Sequence, residues 1–150
     1  MKNVWIEKEV FNDDMNIHGF IDIIIEEDDG SIYIYDVKSM NAWSYKFKFS
    51  KKYNNDNSNH HEMQLATYGV CVKKEFKRLD GMYMVYYNKD TSIIREVEVS
   101  MDYLTTAKSF WETKVEQHKS FPPLMEGISP VKKWECGYCS YKDKCDNETR

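Results

Sequence analysis

What the 150-residue sequence lacks narrows it first. No apolar run is long, Ile23-Ile24-Ile25 being representative, whereas a helix crossing a bilayer needs about 20 apolar residues. No membrane association is therefore expected. The opening stretch, MKNVWIEKEV, has no hydrophobic signal core, so the expected location is the cytoplasm. There is no low-complexity tract and no internal repeat. Excess positive charge is missing as well, the formal net charge being −4. That argues against a passive nucleic-acid coat protein. It leaves room for an enzyme that keeps carboxylates for a metal and places its lysines locally. Cysteine is scarce: there are four, and three of them are Cys136, Cys139 and Cys145. In a cytosolic chain such clustering points to a metal or iron–sulfur site rather than to disulfides.

The pattern along the chain is that of a mixed α/β (α+β) domain. Strands are predicted at 4–11, 17–27 and 31–38, the last two joined by the charged turn Glu26-Glu27-Asp28-Asp29-Gly30, a hairpin signal. The polar stretch 51–59 reads as a loop. A helix is predicted over 60–76, because Gln64, Leu65, Tyr68, Cys71 and Val72 recur at three- and four-residue spacing. Strands at 82–87 and 93–99 and a helix over 103–119, capped by Ser100 or Asp102, complete the core. The boundary is placed at 127, with a cysteine-containing segment of the same domain at 128–150. The basic stretches Lys46, Lys48, Lys51, Lys52 and Lys73, Lys74, Lys77, Arg78 read most simply as solvated surface.

Chemistry concentrates on the predicted hairpin. Asp22 lies on its first strand, and Asp36 lies near the end of its second. Two carboxylates on neighbouring strands can converge on one point. Lys38 follows Asp36 by two residues, so alternation puts both side chains on one face. Their neighbours are Ile21, Ile23, Ile25, Ile32, Ile34 and Val37. Carboxylates beside that much hydrocarbon are costly unless they bind metal or pair with a cation. Oxygen ligands suit Mg²⁺ or Mn²⁺, and an amine beside them stabilises anionic charge. Taken alone, Asp36–Lys38 is more often a salt bridge at a sheet edge. Gln64 and Tyr68, at i and i+4, share one helix face, which is also what an ordinary half-buried stripe would show.

Read together, Gly19-Phe20-Ile21-Asp22, Asp36-Val37-Lys38 and Gln64-x3-Tyr68 resemble the PD-(D/E)XK nucleases of the RecB/Cas4-like branch. Those families carry G-x-x-D, D-x-K and Q-x-x-x-Y motifs in that order. The ending Trp134-x-Cys136-x2-Cys139-x-Tyr141-x3-Cys145 is similar to the cysteine cluster of the same branch. The resemblance implies a restriction-endonuclease-like mixed sheet flanked by helices. It implies Mg²⁺- or Mn²⁺-dependent hydrolysis of DNA, probing single-stranded ends as an exonuclease in repair, recombination, replication or CRISPR-adaptation-like processing. Asp22 and Asp36 would be metal ligands with the Val37 carbonyl, Lys38 the catalytic lysine, and Gln64 and Tyr68 groups facing the site. The cysteines would hold a [4Fe–4S] cluster, or Zn²⁺. A homo-oligomer or a larger DNA-processing complex is compatible with this. The composition, rich in Asn, Lys, Tyr and Ile, fits a phage or low-GC bacterial source.

The sequence also departs from that pattern. Relatives carry a helical region before G-x-x-D that often supplies a metal-binding histidine and a first cluster cysteine. Here Asp22 is preceded by no cysteine. His18 could share parity with Asp22, although a lone strand histidine is more often satisfied by a neighbour. Glu7 or Glu9 could correspond to an upstream acidic residue of relatives. Cys71 reads as a buried free thiol, and His60, His61 or His118 could complete a Cys3His zinc site. A non-catalytic member of the fold, binding DNA or a partner as an inhibitor or decoy subunit, is the alternative function. A plain zinc-ribbon interaction module is a third.

Overall fold

The computed structural model describes residues 1–50, 59–119, 135–140 and 142–143. Contacts divide the chain into two units, Met1–Val115 and Glu116–Arg150. The first holds a five-stranded sheet in the spatial order of the sequence: β1 (Asn3–Asn12), β2 (Ile17–Glu26), β3 (Ile32–Met40), β4 (Gly81–Asn88) and β5 (Ile94–Val99). Neighbours pair antiparallel except β3 and β4, which run parallel. A parallel pair needs a crossover, here supplied by α1 (Ala42–Phe49) and α2 (Asn59–Phe76). A last helix, α3 (Asp102–His118), follows β5. In the second unit, Glu135–Tyr138 forms one 3-10 turn. Among the described residues no helix is long and apolar enough to cross a membrane.

Alternation decides the core. Ile32, Ile34 and Asp36 of β3 and Met82, Met84, Tyr86 and Asn88 of β4 are buried, and the residues between them are not. Ile24, Ile34, Leu65, Val72, Met82 and Met84 are fully shielded, each contributing about 1.5–3 kcal/mol of apolar transfer. α2 crosses this face at a slant. His61 faces Tyr86 of β4 at 6.3 Å between rings, and Phe76 packs edge-on against Trp5 of β1 at 5.1 Å. α3 docks on α2: Trp111 Nε1 donates to Thr67 Oγ1 at 2.9 Å, and a Cβ on Gly69 would come within 2.8 Å of Leu104.

The alternation breaks once. On β1 the inward residues are Trp5 and then Lys8, Val10 and Asn12; on β2 they are Ile17, Ile21 and then Ile24. Both strands change parity at the rung where Glu7 meets Asp22. Pairing runs through Ile6↔Ile23 and Lys8↔Ile21 but skips that rung. Glu7 is left-handed there, at φ 48°, a conformation that costs a non-glycine residue about 1 kcal/mol or more. The distortion thus sits beside one of the predicted site residues.

α1 is an element the sequence pattern did not announce. Its run AWSYKFKF reads by eye as an alternating aromatic strand. Local capping overrides that reading: the Asn41 side chain accepts from the Ser44 N–H at 2.8 Å, and Asp90 accepts from the Ala42 N–H at 2.7 Å. Together they satisfy N–H groups that the first helical turn would leave without partners.

Candidate active site

The predicted residues meet where β2 and β3 part. Ladder pairing between these strands ends at Ile23↔Tyr35. Beyond it, Asp22 Oδ2 accepts the Val37 N–H at 2.6 Å, so a side chain replaces the next backbone acceptor. In an extended strand the N–H and C=O of one residue point to the same edge, which turns the Val37 carbonyl toward Asp22 as well. Asp36 and Lys38 project from β3 onto the core face, as their spacing predicts. Lys38 Nζ lies 2.7 Å from Asp36 Oδ2, a close ion pair whose angles fall short of an aligned hydrogen bond.

Asp36 is the buried member, with 5% of its side chain exposed. Burial pushes its carboxyl above the ordinary aspartate value. Lys38 opposes that rise, and the nearby Asp22 adds to it. Two carboxylates close enough to influence one another, one stripped of water, form a donor set that a hard divalent cation would relieve. Their oxygens and the Val37 carbonyl fit Mg²⁺ or Mn²⁺ better than a soft ion. No group of three or more His, Cys, Asp and Glu residues able to hold a metal occurs among the described residues. The site therefore offers two carboxylates and a carbonyl, leaving the remaining positions of an octahedral ion to water or substrate.

A relay extends from Lys38 to α2. Lys38 Nζ donates to Gln64 Oε1 at 3.0 Å, and Gln64 Nε2 donates to Tyr68 Oη at 3.2 Å. The direction of the relay follows from chemistry. An ammonium only donates, so Gln64 must turn its oxygen to Lys38 and its amide N–H to Tyr68. Tyr68 accepts that bond and keeps its own hydrogen to donate. Gly19 makes room for the ring: a Cβ there would sit 2.7 Å from Tyr68 Cε1. The glycine of G-x-x-D and the tyrosine of Q-x-x-x-Y are therefore one steric arrangement.

Other expectations fare differently. His18 does not face the metal side. Its ring is 63% exposed and pairs with Glu9 at 2.6 Å, because the face change at Asp22 breaks the parity that would have aligned them. Glu9 is engaged in that pair. Cys71 is a buried free thiol, 3.6 Å from the Thr67 carbonyl, and burial pushes it up to about 11. Cys139 is exposed. Cys145 and the side chain of Cys136 lie outside the described residues.

His61 was weighed in the sequence only as a zinc ligand, yet it stands beside this site. Its Nδ1 is buried without a hydrogen-bond partner. Burial foremost, then the charges of His60, Lys38 and Lys48, depress it to about 4. The signal that could have revealed it is its place three residues before Gln64, on the same stripe of α2.

A family model for the PD-(D/E)XK nuclease superfamily matches residues 1–146. The chain belongs to the PD-(D/E)XK nuclease superfamily. Its mixed sheet flanked by helices is the restriction-endonuclease-like α/β arrangement. Among solved structures, that of SSO0001 is similar over 95% of this chain and 60% of that one, with 21% identity and a TM-score of 0.50. A protein described as a candidate exonuclease from Eubacterium rectale is similar over 93% of this chain and 51% of that one, with 16% identity and a TM-score of 0.56. At such identities these likenesses speak for the fold. This PD-(D/E)XK chain spans 60% and 51% of those two structures. No curated protein matches it.

Proposed function

We propose that this chain is a Mg²⁺- or Mn²⁺-dependent deoxyribonuclease that hydrolyses phosphodiester bonds at single-stranded DNA ends. The observation that carries the reading is the convergence of Asp22, the shielded Asp36 and Lys38 at the parting of β2 and β3. A divalent ion bound there would activate water and offset charge on the phosphate. Asp22 and Asp36 would hold it, and the Val37 carbonyl would complete the protein's share. Lys38 is positioned by Asp36 and Gln64 to offer its ammonium to a phosphate oxygen or to the attacking water. Gln64 fixes Lys38 and hands its amide to Tyr68, whose hydroxyl is left to donate to the DNA backbone. Exonucleolytic action is favoured by the resemblance to the RecB/Cas4-like branch. For Cys136, Cys139 and Cys145 as ligands of a [4Fe–4S] cluster or of zinc, the support is their spacing.

The test is cleavage of single strands labelled at the 5′ or 3′ end, in Mg²⁺, Mn²⁺ or EDTA. We expect cleavage with either metal and none in EDTA. Asp36→Ala and Lys38→Ala should each lower the rate at least about 10²–10³-fold. Were both variants to cut as fast as the parent, the site assignment would be wrong. DNA binding without cleavage under any divalent metal would select the non-catalytic member of the fold.

A further inference from the structure

α1 carries two aromatic stripes, of which one faces the core and the other, through Trp43, reaches solvent. Tyr45 and Phe49 pack inward, their rings 4.8 Å apart, with Phe49 edge-on to the buried Tyr86 at 5.4 Å. Trp43 and Phe47 form the other. Their rings are stacked 5.5 Å apart at an interplanar angle of 19°, and Trp43 is 73% exposed. Leaving that much indole in water forgoes the gain of burying a large apolar ring, on a helix otherwise well anchored at its start by Asn41 and Asp90. Lys46 is exposed three residues after Trp43, on the same side of the helix. An aromatic pair with a cation beside it suits a nucleobase with its phosphate.

Position supplies the link to the reaction. α1 continues directly from β3, the strand that carries Asp36 and Lys38. Trp43 lies five positions after Lys38, so their Cα atoms are at most about 18 Å apart, a reach of a few nucleotides. β3 remains paired with β4 through Met40↔Asn88, so the platform is held at a fixed distance from the site.

We infer that Trp43 and Phe47, with Lys46, form a base-stacking platform that holds unpaired DNA leading into the Asp22–Asp36–Lys38 site. The inference rests on the nuclease reading for its direction but not for its measurement. Stacking needs an exposed base face, so the ligand is single-stranded; a duplex keeps its bases stacked on one another. Alanine at a stacking position typically costs enough to weaken binding about tenfold.

Binding of a fluorescein-labelled dT12 strand to the full chain is followed by anisotropy in EDTA, where no metal-dependent cleavage intervenes. Trp43→Ala is expected to weaken binding at least about tenfold. Trp43→Phe should restore most of it, and a blunt duplex of equal length should lose little. Melting temperatures of both variants guard against misfolding. Equal dT12 affinity in the parent and in a folded Trp43→Ala overturns the inference, as does a parent that does not bind dT12. A change in sedimentation with dT12 affinity unaltered would make the stack a contact between copies and likewise overturn it. Cleavage of the same strand by the parent in Mn²⁺ reports separately on the nuclease reading. If that fails while the Trp43 effect persists, the platform stands and the catalytic reading falls.

Discussion

α2 and the strands beneath it make one continuous layer with two unlike ends. Toward β1 the contact is hydrocarbon and ring: Val72, Ile24 and Ile34 are fully buried, and Phe76 meets Trp5 edge-on. Toward β3 and β4 the same helix presents His61, Gln64 and Tyr68 to Lys38 and its partner Asp36. The backbone ladders differ in the same sense. At the hairpin turn β2 and β3 pair normally through Glu26↔Ile32, while past Ile23↔Tyr35 an aspartate side chain takes over. The apolar end supplies the stability that lets the polar end stay underpaired. A shielded carboxylate and a partnerless imidazole nitrogen both lie at the polar end. Such costs persist where a site over-determines them.

The sharpest way to break this comparison is to neutralise one carboxylate at each end of β2. Asp22→Asn keeps an oxygen to accept the Val37 N–H, so the fold should hold. Metal-dependent cleavage should nevertheless fall about 10²–10³-fold, as for other groups that stabilise a charged transition state. Glu26→Gln, at the turn end, weakens an ion pair with Lys2 at 2.7 Å and a bond accepted from Asn3 Nδ2 at 2.6 Å; both partners lie at the surface, where such contacts are worth little, and cleavage should stay within about twofold. Single-turnover rates on a labelled strand measure both. Equal losses in the two variants would mean that the functional distinction between the ends is false.

A smaller effect is expected from Gly19→Ala. The added Cβ would lie 2.7 Å from Tyr68 Cε1 and must push the ring aside. Displacing one hydrogen-bond donor from a site costs roughly 1–2 kcal/mol, or about tenfold in rate. The same change in a Tyr68→Ala background should cost far less, since the clash is gone. Additive losses in that double-mutant cycle would show that Gly19 acts by some route other than Tyr68.

These contrasts also mark how far the sequence could be read. Period two correctly put Asp36 and Lys38 on one face, and i, i+4 spacing correctly put Gln64 beside Tyr68, because both depend on local geometry within one element. His18 is satisfied by a neighbour, Glu9, as a lone strand histidine more often is, but the reason it lacks parity with Asp22 is in no local pattern. The change of face on β2 coincides with a left-handed residue on the facing rung of β1, and Glu7 is not a residue type that advertises φ 48°. α1 went unassigned because its aromatic alternation mimics a strand, while one of the two groups that cap its start, Asp90, comes from the β4–β5 turn. Tertiary contact settled what propensity left open.

The least drastic test concerns pH, and it separates the two ends through His61. Its folded value of about 4 lies below the ordinary 6.5, so the unfolded chain binds the proton more readily. Stability linked to this group is therefore intact above about pH 6.5, declines as pH falls, and is fully lost near pH 4. The imidazole faces Lys38, Lys48 and His60, all of which oppose its protonation. His61→Gln removes the titration and keeps a polar side chain. Between pH 7.5 and pH 5, the parent's melting temperature should drop a few degrees more than the variant's, at roughly 2–8 °C per kcal/mol. A buried, uncharged Leu65→Ala at the adjoining position should lower both temperatures by a similar amount, by cavity formation alone, and leave the pH slope unchanged. If His61→Gln keeps the parent's slope, the imidazole is not the group that makes the polar end acid-sensitive. The contrast would then rest on the carboxylates alone.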